Sequence, residues 1–321
     1  MIENNQEKIA IVIATWDKGK NDLIMCLRSL EKLIYSNYEV IVVDNKSEDD
    51  TIVCVKKYFS WVNLIENPEN LGFCGGYNTG IKLALKRAAD YVFLLNSDMV
   101  VDPKLLNFLV KTASSDKKIG IVGAVIYSFR DRDRLTFRGA NLNRWFSTTR
   151  PAKKRVSANI FEADYVGGSS MLVKREVAEK IGLLDERFFA YFEDFDWCLR
   201  AKRAGYKVVY DCRAKVWHKR EGYKNLIKLK NNSWLNKFLH VFSMAGEKIP
   251  SYSVYYVTRN RPLFMRENVS IFQFIVFMFF FTLAYLPMRT VFFIITKRID
   301  LLKVFIRGFL DFLLGRFGKA L

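Results

Sequence analysis

Histidine, cysteine pairs and N-terminal hydrophobicity are what this 321-residue chain has least of. It contains two histidines, and a lone histidine is more often structural than a ligand. Its five cysteines (Cys26, Cys54, Cys74, Cys198 and Cys212) are odd in number, with no pair at metal-like spacing. That favours free thiols in a reducing compartment over a disulfide framework or a zinc site. The start, Met1–Lys8, is polar and acidic, so no signal peptide is expected, and the acceptor-like triplets at Asn45, Asn231 and Asn268 matter only in a translocated chain. There is no Walker loop, no dinucleotide fingerprint in register and no internal repeat. Acidic residues are scarce towards the C-terminus. Residues 224–321 hold 15 basic and 4 acidic side chains, a net +11 of the total +18. Because this excess sits beside very apolar sequence, it predicts attraction to an anionic membrane surface and no nucleic-acid partner.

The length allows one large domain with an appendage. Ile9–Ala14 is a short apolar run, followed by a turn at Asp17–Lys20 and a helical pattern through Leu23, Leu27, Leu30 and Ile34. Glu39–Val43, Leu64–Ile65, Tyr91–Leu95 and Ile119–Val125 continue as buried-type strands, with helices predicted over Gly76–Ala88 and Pro103–Ala113. Alternating strands and helices predict an α/β fold with a parallel, doubly wound sheet, whose ligands bind beyond the carboxyl ends of the strands. Asp44 and Asn96–Asp98 fall at such ends. Ser128–Ser157, with nine basic and two acidic residues, reads as a loop or flap. Glu162–Lys174 reads as strand, with Gly167-Gly168 letting backbone approach a ligand. A helix from Asp194 to Ala204, ended by Gly205, leads to a strand at Lys207–Tyr210.

Val269–Met288 is uncharged for twenty residues, just enough to span a bilayer, and Pro287 and Arg289 interrupt it. Arginines 259, 261 and 266 precede it, and Lys297 and Arg298 follow. Positive charge on both flanks favours a re-entrant or in-plane hairpin over one straight span. Leu301, Leu302, Phe305, Phe309, Phe312 and Leu313 then repeat at interfacial-helix spacing. The expected organisation is a catalytic domain over 1–226, a connecting segment over 227–268 and membrane-associating helices over 269–321, at the cell membrane with the catalytic part on the cytoplasmic side.

Phe188–Arg200 carries the densest chemistry: Glu193, Asp194 and Asp196 among Phe189, Tyr191, Phe192, Phe195 and Trp197. Carboxylates among large apolar groups lose hydration, which raises their proton affinity unless a cation compensates. Helix capping requires one such acid, not three. The segment also suits a base, a metal neighbour or both. Asn70–Gly80 is Gly-rich and opens a helix, so its N–H groups could face phosphate. Asp98 is placed to hold a hard cation, which accepts substrate phosphate as co-ligand.

In this order Val42–Ser47, Asn70–Gly80, Phe93–Asp98, Gly167-Gly168, Phe188–Arg200 and His218 resemble the family 2 glycosyltransferases of GT-A fold. The nearest likeness is to rhamnosyltransferase-like members, over roughly residues 8–220. The resemblance implies that Thr15, Asp44 and Asn78 bind the nucleotide. It implies that Asp98 and His218 are metal ligands, that Asp194 is the catalytic base and that Glu193 lies on the acceptor side. The chain departs from the family's Asp-x-Asp motif at Asn96, an amide that ligates a hard cation more weakly than a carboxylate. Trp16 stands where a tyrosine is usual and is expected to pack. The implied activity is inverting transfer from a nucleotide-diphosphate sugar to an acceptor hydroxyl, with Mg²⁺ or Mn²⁺ as cofactor; the membrane-associating tail suggests a lipid-linked glycan acceptor, whose diphosphate the basic 128–157 segment is expected to hold. Alternatives are a non-catalytic sugar-nucleotide-binding scaffold, a polyprenyl-phosphate glycosyltransferase and a processive synthase. The last would carry a Gln-x-x-Arg-Trp motif, which Asn141–Trp145 imitates poorly and in the wrong place.

Overall fold

The computed structural model describes residues 6–17, 19–153, 155–219 and 250–320. They divide into two units, the first formed by residues up to 142 with 149–220, the second by 143–148 with the C-terminal residues to 320. Asn231 and the connecting residues 227–249 lie outside the described residues.

In the first unit, β1 (Ile9–Thr15), α1 (Lys20–Leu30), β2 (Tyr38–Asp44), α2 (Thr51–Tyr58), β3 (Asn63–Glu66), α3 (Gly72–Lys86) and β4 (Tyr91–Leu95) form the parallel half of the sheet. Ile9, Ile11 and Ile13 alternate onto one face, where Leu23, Cys26, Leu27 and Leu30 of α1 meet them at full burial. On the other face α3 packs very closely. A Cβ at Gly80 would stand 2.3 Å from Val12 Cγ1, so only glycine fits there. The helix expected to reach Ile34 stops at Leu30, and α2 shows no helical period because its apolar residues, Ile52 to Val55, run consecutively.

The second half comprises β5 (Met99–Val101), α4 (Leu105–Ser114), β6 (Ile119–Ser128), β7 (Leu135–Phe137), β8 (Ala140–Asn143), β9 (Thr148–Pro151), β10 (Ile160–Glu162), β11 (Ser170–Lys174), α5 (Arg175–Ile181), α6 (Glu193–Arg203) and β12 (Lys207–His218). The strand order is β10-β12-β6-β11-β4-β1-β2-β3, with β5 on β12 and β7 on β6. Two expectations are corrected. The sheet is mixed, because β11 inserts antiparallel between β4 and β6. Residues 128–157 are not one loop. They contain β7 and the β8–β9 ribbon, strands of three or four residues too short to show a period without partners. Glu162–Lys174 is likewise strand only at its two ends, where β10 closes at Glu162 and β11 opens at Ser170 after Gly167-Gly168.

The segment β12 runs well past Tyr210, across a register shift between Asp211 and Lys215. Its polar residues hid this extension. Asp211 is fully buried, accepting from Thr112 Oγ1 at 2.6 Å and pairing with Arg213.

The second unit holds α7 (Ser251–Asn268), α8 (Ile271–Ile295) and α9 (Ile299–Leu313). Pro287 does not break the apolar block. It follows a π-helical turn at Phe281–Tyr285, and the helix continues to Ile295. Mean hydropathy over its most apolar window is 2.0, so length and composition suffice to cross a membrane. Phe293 packs with Val254, Leu301 and Phe305 in a small core.

Candidate active site

Asp98 follows β4 in the turn that leads into β5. The antiparallel ladder of β5 with the far end of β12 sets Met99 opposite His218. His218 Nε2 therefore lies 3.0 Å from Asp98 Oδ2, though 120 positions separate them. The Lys219 N–H donates to the Asp98 carbonyl at 3.0 Å, and Lys219 Nζ pairs with Asp22 at 2.5 Å, which pins the strand end. Among the described residues no three His, Cys, Asp or Glu side chains cluster around a point that could hold a metal ion. One carboxylate and one imidazole nevertheless form a two-ligand donor set that suits a divalent cation whose other positions go to phosphate and water.

The third expected ligand, Asn96, is held from below. Tyr77, fully buried in α3, donates to Asn96 Oδ1 at 3.0 Å and shares that hydroxyl with the Leu95 carbonyl at 2.9 Å. The hydroxyl has one proton for these two acceptors, so at most one lone pair of the amide oxygen is occupied. Tyr77 is a positioning residue that the sequence reading passed over. Its signal was a lone tyrosine inside the Gly-rich helix start.

Glu193 and Asp194 open α6 after an unusual approach. Phe189, Tyr191 and Phe192 all have positive φ (62°, 69° and 77°), a region that large side chains rarely occupy. The surroundings hold them there. The Cys74 N–H donates to the Phe189 carbonyl at 3.1 Å, and Gly72, itself at φ +70, leaves room for the Phe189 ring. Trp197 anchors the next turn, fully buried and donating to the Gly182 carbonyl at 2.8 Å.

The Gly168 N–H donates to Asp194 Oδ2 at 3.0 Å. A Cβ at Gly168 would come within 3.0 Å of Asp194 Cβ, so the glycine permits this approach. Burial pushes the Asp194 carboxyl above the ordinary aspartate value. Burial and the neighbouring Asp194 charge push Glu193 well above its own. Glu193 Oε2 is buried with no hydrogen-bond partner. Asp196, in contrast, pairs with Arg200 at 2.7 Å, and Arg200 also donates to the Ile181 and Leu183 carbonyls, so this third acid is structural.

Glu193 gives a stability prediction whose sign can be worked out. Its folded-state proton affinity exceeds the unfolded one, so its charge costs nothing below the ordinary glutamate value of 4.5, where both states are protonated. The cost grows as pH rises through the folded value and is complete above it. Glu193→Gln should therefore raise Tm by about 1–2 °C at pH 7.5, the shift expected from about 1 kcal/mol in a chain of this size. The gain should vanish near pH 4. Calorimetric melting at both values tests this, and an unchanged difference across pH would refute the desolvated-charge account.

Thr15 and Asp44 end adjacent parallel strands in register. Asp44 accepts from the Ser47 N–H at 2.9 Å and from the Ser47 hydroxyl at 2.5 Å, while Thr15 Oγ1 is buried without a partner. Asn78 lies within α3. It is buried, donates to the Leu184 carbonyl (2.9 Å) and Glu186 Oε1 (2.8 Å), and accepts from the Leu184 N–H (3.0 Å). With its amide so occupied it ties α3 to the loop that leads to Glu193. Trp16 does not pack, being 54% exposed.

A family-wide sequence description of Glycosyl transferase family 2 matches residues 10–182, more than half of the chain. The chain belongs to the glycosyl transferase family 2. Glu193, Asp194 and His218 lie beyond the matched span. The low-salt glycan biosynthesis hexosyltransferase Agl10 of Haloferax volcanii is 25% identical over 63% of this chain and 64% of its own length. The N-acetylglucosaminyl-diphospho-decaprenol L-rhamnosyltransferase of Mycobacterium tuberculosis is 27% identical, covering 65% and 75% respectively. The dTDP-rhamnosyl transferase RfbF of Shigella flexneri is 25% identical over 81% and 80%. The chain thus spans just under two thirds of the Haloferax relative.

Two solved structures share the fold with a TM-score of 0.57. S. aureus TarS 1-349 in complex with UDP-GlcNAc is 16% identical over 95% of this chain and 80% of that one. GalNAc-T7 with UDP, GalNAc and Mn²⁺ is 15% identical over 81% and 51%. The family 2 chain therefore has the expected GT-A architecture, built on a mixed sheet.

Proposed function

We propose that this family 2 chain moves a sugar, with inversion, from a nucleotide-diphosphate donor to a hydroxyl of a lipid-linked glycan at a membrane surface. The observation that carries the reading is Asp194: a carboxylate of raised proton affinity, aimed by the Gly168 N–H at the start of a helix whose approach is held in strained backbone. Asp194 takes the proton from the acceptor oxygen as that oxygen attacks the anomeric carbon. Because Asp194 is on the attacking side only, the bond to the departing diphosphate breaks on the opposite face. Glu193 lies beside it towards the acceptor, and Thr15 and Asp44 face the nucleoside. Asp98 and His218, with the second lone pair of Asn96, would hold Mg²⁺ or Mn²⁺, which supplies charge neutralisation for the leaving diphosphate. The relatives that use diphospho-decaprenol and dTDP-rhamnose support the acceptor and donor classes. A position on the cytoplasmic side of the cell membrane belongs to the same reading.

Transfer of radiolabelled sugar from a panel of nucleotide-diphosphate donors to a polyprenyl-diphosphate acceptor tests this, with thermal shift alongside. Binding only to the folded state at a hundred times Kd should stabilise by about 2.7 kcal/mol. Donor binding without transfer to any hydroxyl acceptor would favour the scaffold reading.

A further inference from the structure

By length, α8 is a membrane span: its 25 residues would reach about 37 Å, against a hydrocarbon core of about 30 Å. Its packing within the second unit argues otherwise. One stripe is turned towards its neighbours along the last two thirds of the helix: Phe277, Phe281, Arg289 and Phe293 are buried, with Tyr285 half-buried between them. The π-helical turn at Phe281–Tyr285 slows the drift that a four-residue repeat would otherwise show. The remaining surface is apolar and open, with Ile271, Phe272, Ile275, Phe279, Leu283 and Ile295 all more than half exposed.

What lies level with the middle of α8 decides its orientation. The Phe281 ring is 6.0 Å from Phe309, and Tyr285 is 6.2 Å from Phe305. Between those two α9 residues sits Arg307, half exposed, and Lys303 is exposed one turn earlier. Arg261 of α7 stands 5.1 Å over the Tyr285 ring. If α8 crossed the bilayer, these cations would sit at its midplane, the costliest depth for a charge. At the other end Trp145 meets Phe272 edge-on at 5.9 Å, and Phe146 meets Phe280 at 5.4 Å. These contacts are about 12 Å apart along the helix. A crossing helix would draw this turn, with exposed Arg144 and its backbone polar groups, deep into hydrocarbon.

We infer that α8 lies in the membrane plane, with its open apolar face in the lipid and with Trp145 and Phe146 seated in the same face. Tryptophan beside arginine suits the headgroup level, and phenylalanine the apolar side just beneath it. The net +11 of residues 224–321 makes an anionic bilayer, rather than a second copy of the chain, the matching occupant. The inference rests on the membrane-surface part of the proposed function and is independent of the sugar chemistry.

The test uses the full chain in sealed vesicles from expressing cells, treated with a membrane-impermeant polyethylene-glycol maleimide. The partly exposed native Cys54 and Cys212 mark the side of the catalytic unit. Glu267→Cys and Thr296→Cys, both at exposed positions flanking α8, should each add one mass tag on that same side. A Thr296→Cys tag that appears only after detergent would overturn the in-plane placement while leaving membrane association intact. Purified protein should float with phosphatidylglycerol-containing vesicles. Trp145→Ser with Phe146→Ser should reduce the floated fraction severalfold, and Trp145→Tyr alone should preserve it. Failure of the parent chain to float would overturn the membrane reading itself. Flotation unchanged by the double variant, with a dimer lost instead, would overturn the lipid assignment of this face.

Discussion

Asp194→Asn should lower kcat by about 10³-fold, within the range that a positioned general base contributes, while donor affinity stays within a factor of two or so. The amide keeps the shape that accepts from the Gly168 N–H but cannot take the acceptor proton. In the parent enzyme the base must be ionised. With its proton affinity raised by burial above the ordinary aspartate value of 3.8, kcat should fall on acidification at a midpoint above that value, with one proton taken up. The Asn variant should lose this limb altogether. Pre-steady-state transfer of labelled sugar across pH, with donor affinity from calorimetry, checks both parts. A variant that retains the acid limb would assign the base elsewhere, with Glu193 the first candidate.

The second large effect concerns Asp98 and His218. Their side chains touch at 3.0 Å, so as ligands they act as a unit, and effects of such residues do not add. Asp98→Ala, His218→Ala and the double variant should each lose about 10²–10³-fold in kcat, the scale of one lost group that stabilises developing charge. Chelation with EDTA should reduce the parent to the level of the variants, and added Mn²⁺ should restore the parent only. Titrating Mn²⁺ into each protein gives the measurement. Losses that multiply in the double variant, or variants that respond to EDTA as the parent does, would show that the pair does not share a cation. Asn96→Asp should act in the opposite direction and tighten Mn²⁺, since a carboxylate binds a hard cation better than an amide.

Much of the parallel half was legible because its strands are short apolar runs that alternate with amphipathic helices, a local signal. The acid cluster was legible as well: three carboxylates among five aromatics have few structural explanations, and the fold leaves Asp196 as the structural member. The π turn and the continuity of α8 through Pro287 were not legible, since proline and arginine read as stops, whereas here a π turn precedes the exposed Pro287 and Arg289 is buried. For Asn78, an asparagine in a Gly-rich helix start suits either phosphate or a loop clamp. Only the Leu184 backbone, 106 residues on, distinguishes the two.

The order of residues by itself determined the α/β class, the apolar C-terminal block, the basic bias around it and a desolvated acidic centre at Glu193–Asp194. Each of these is a property of neighbours along the chain. The tertiary structure decided that β11 runs antiparallel through the sheet, that the Gly168 N–H meets Asp194, that His218 reaches Asp98 through the β5–β12 ladder, and that one stripe of α8, over its last two thirds, packs on its neighbours with Arg261 above Tyr285. Periodicity is local, whereas these pairings depend on segments up to 120 positions apart.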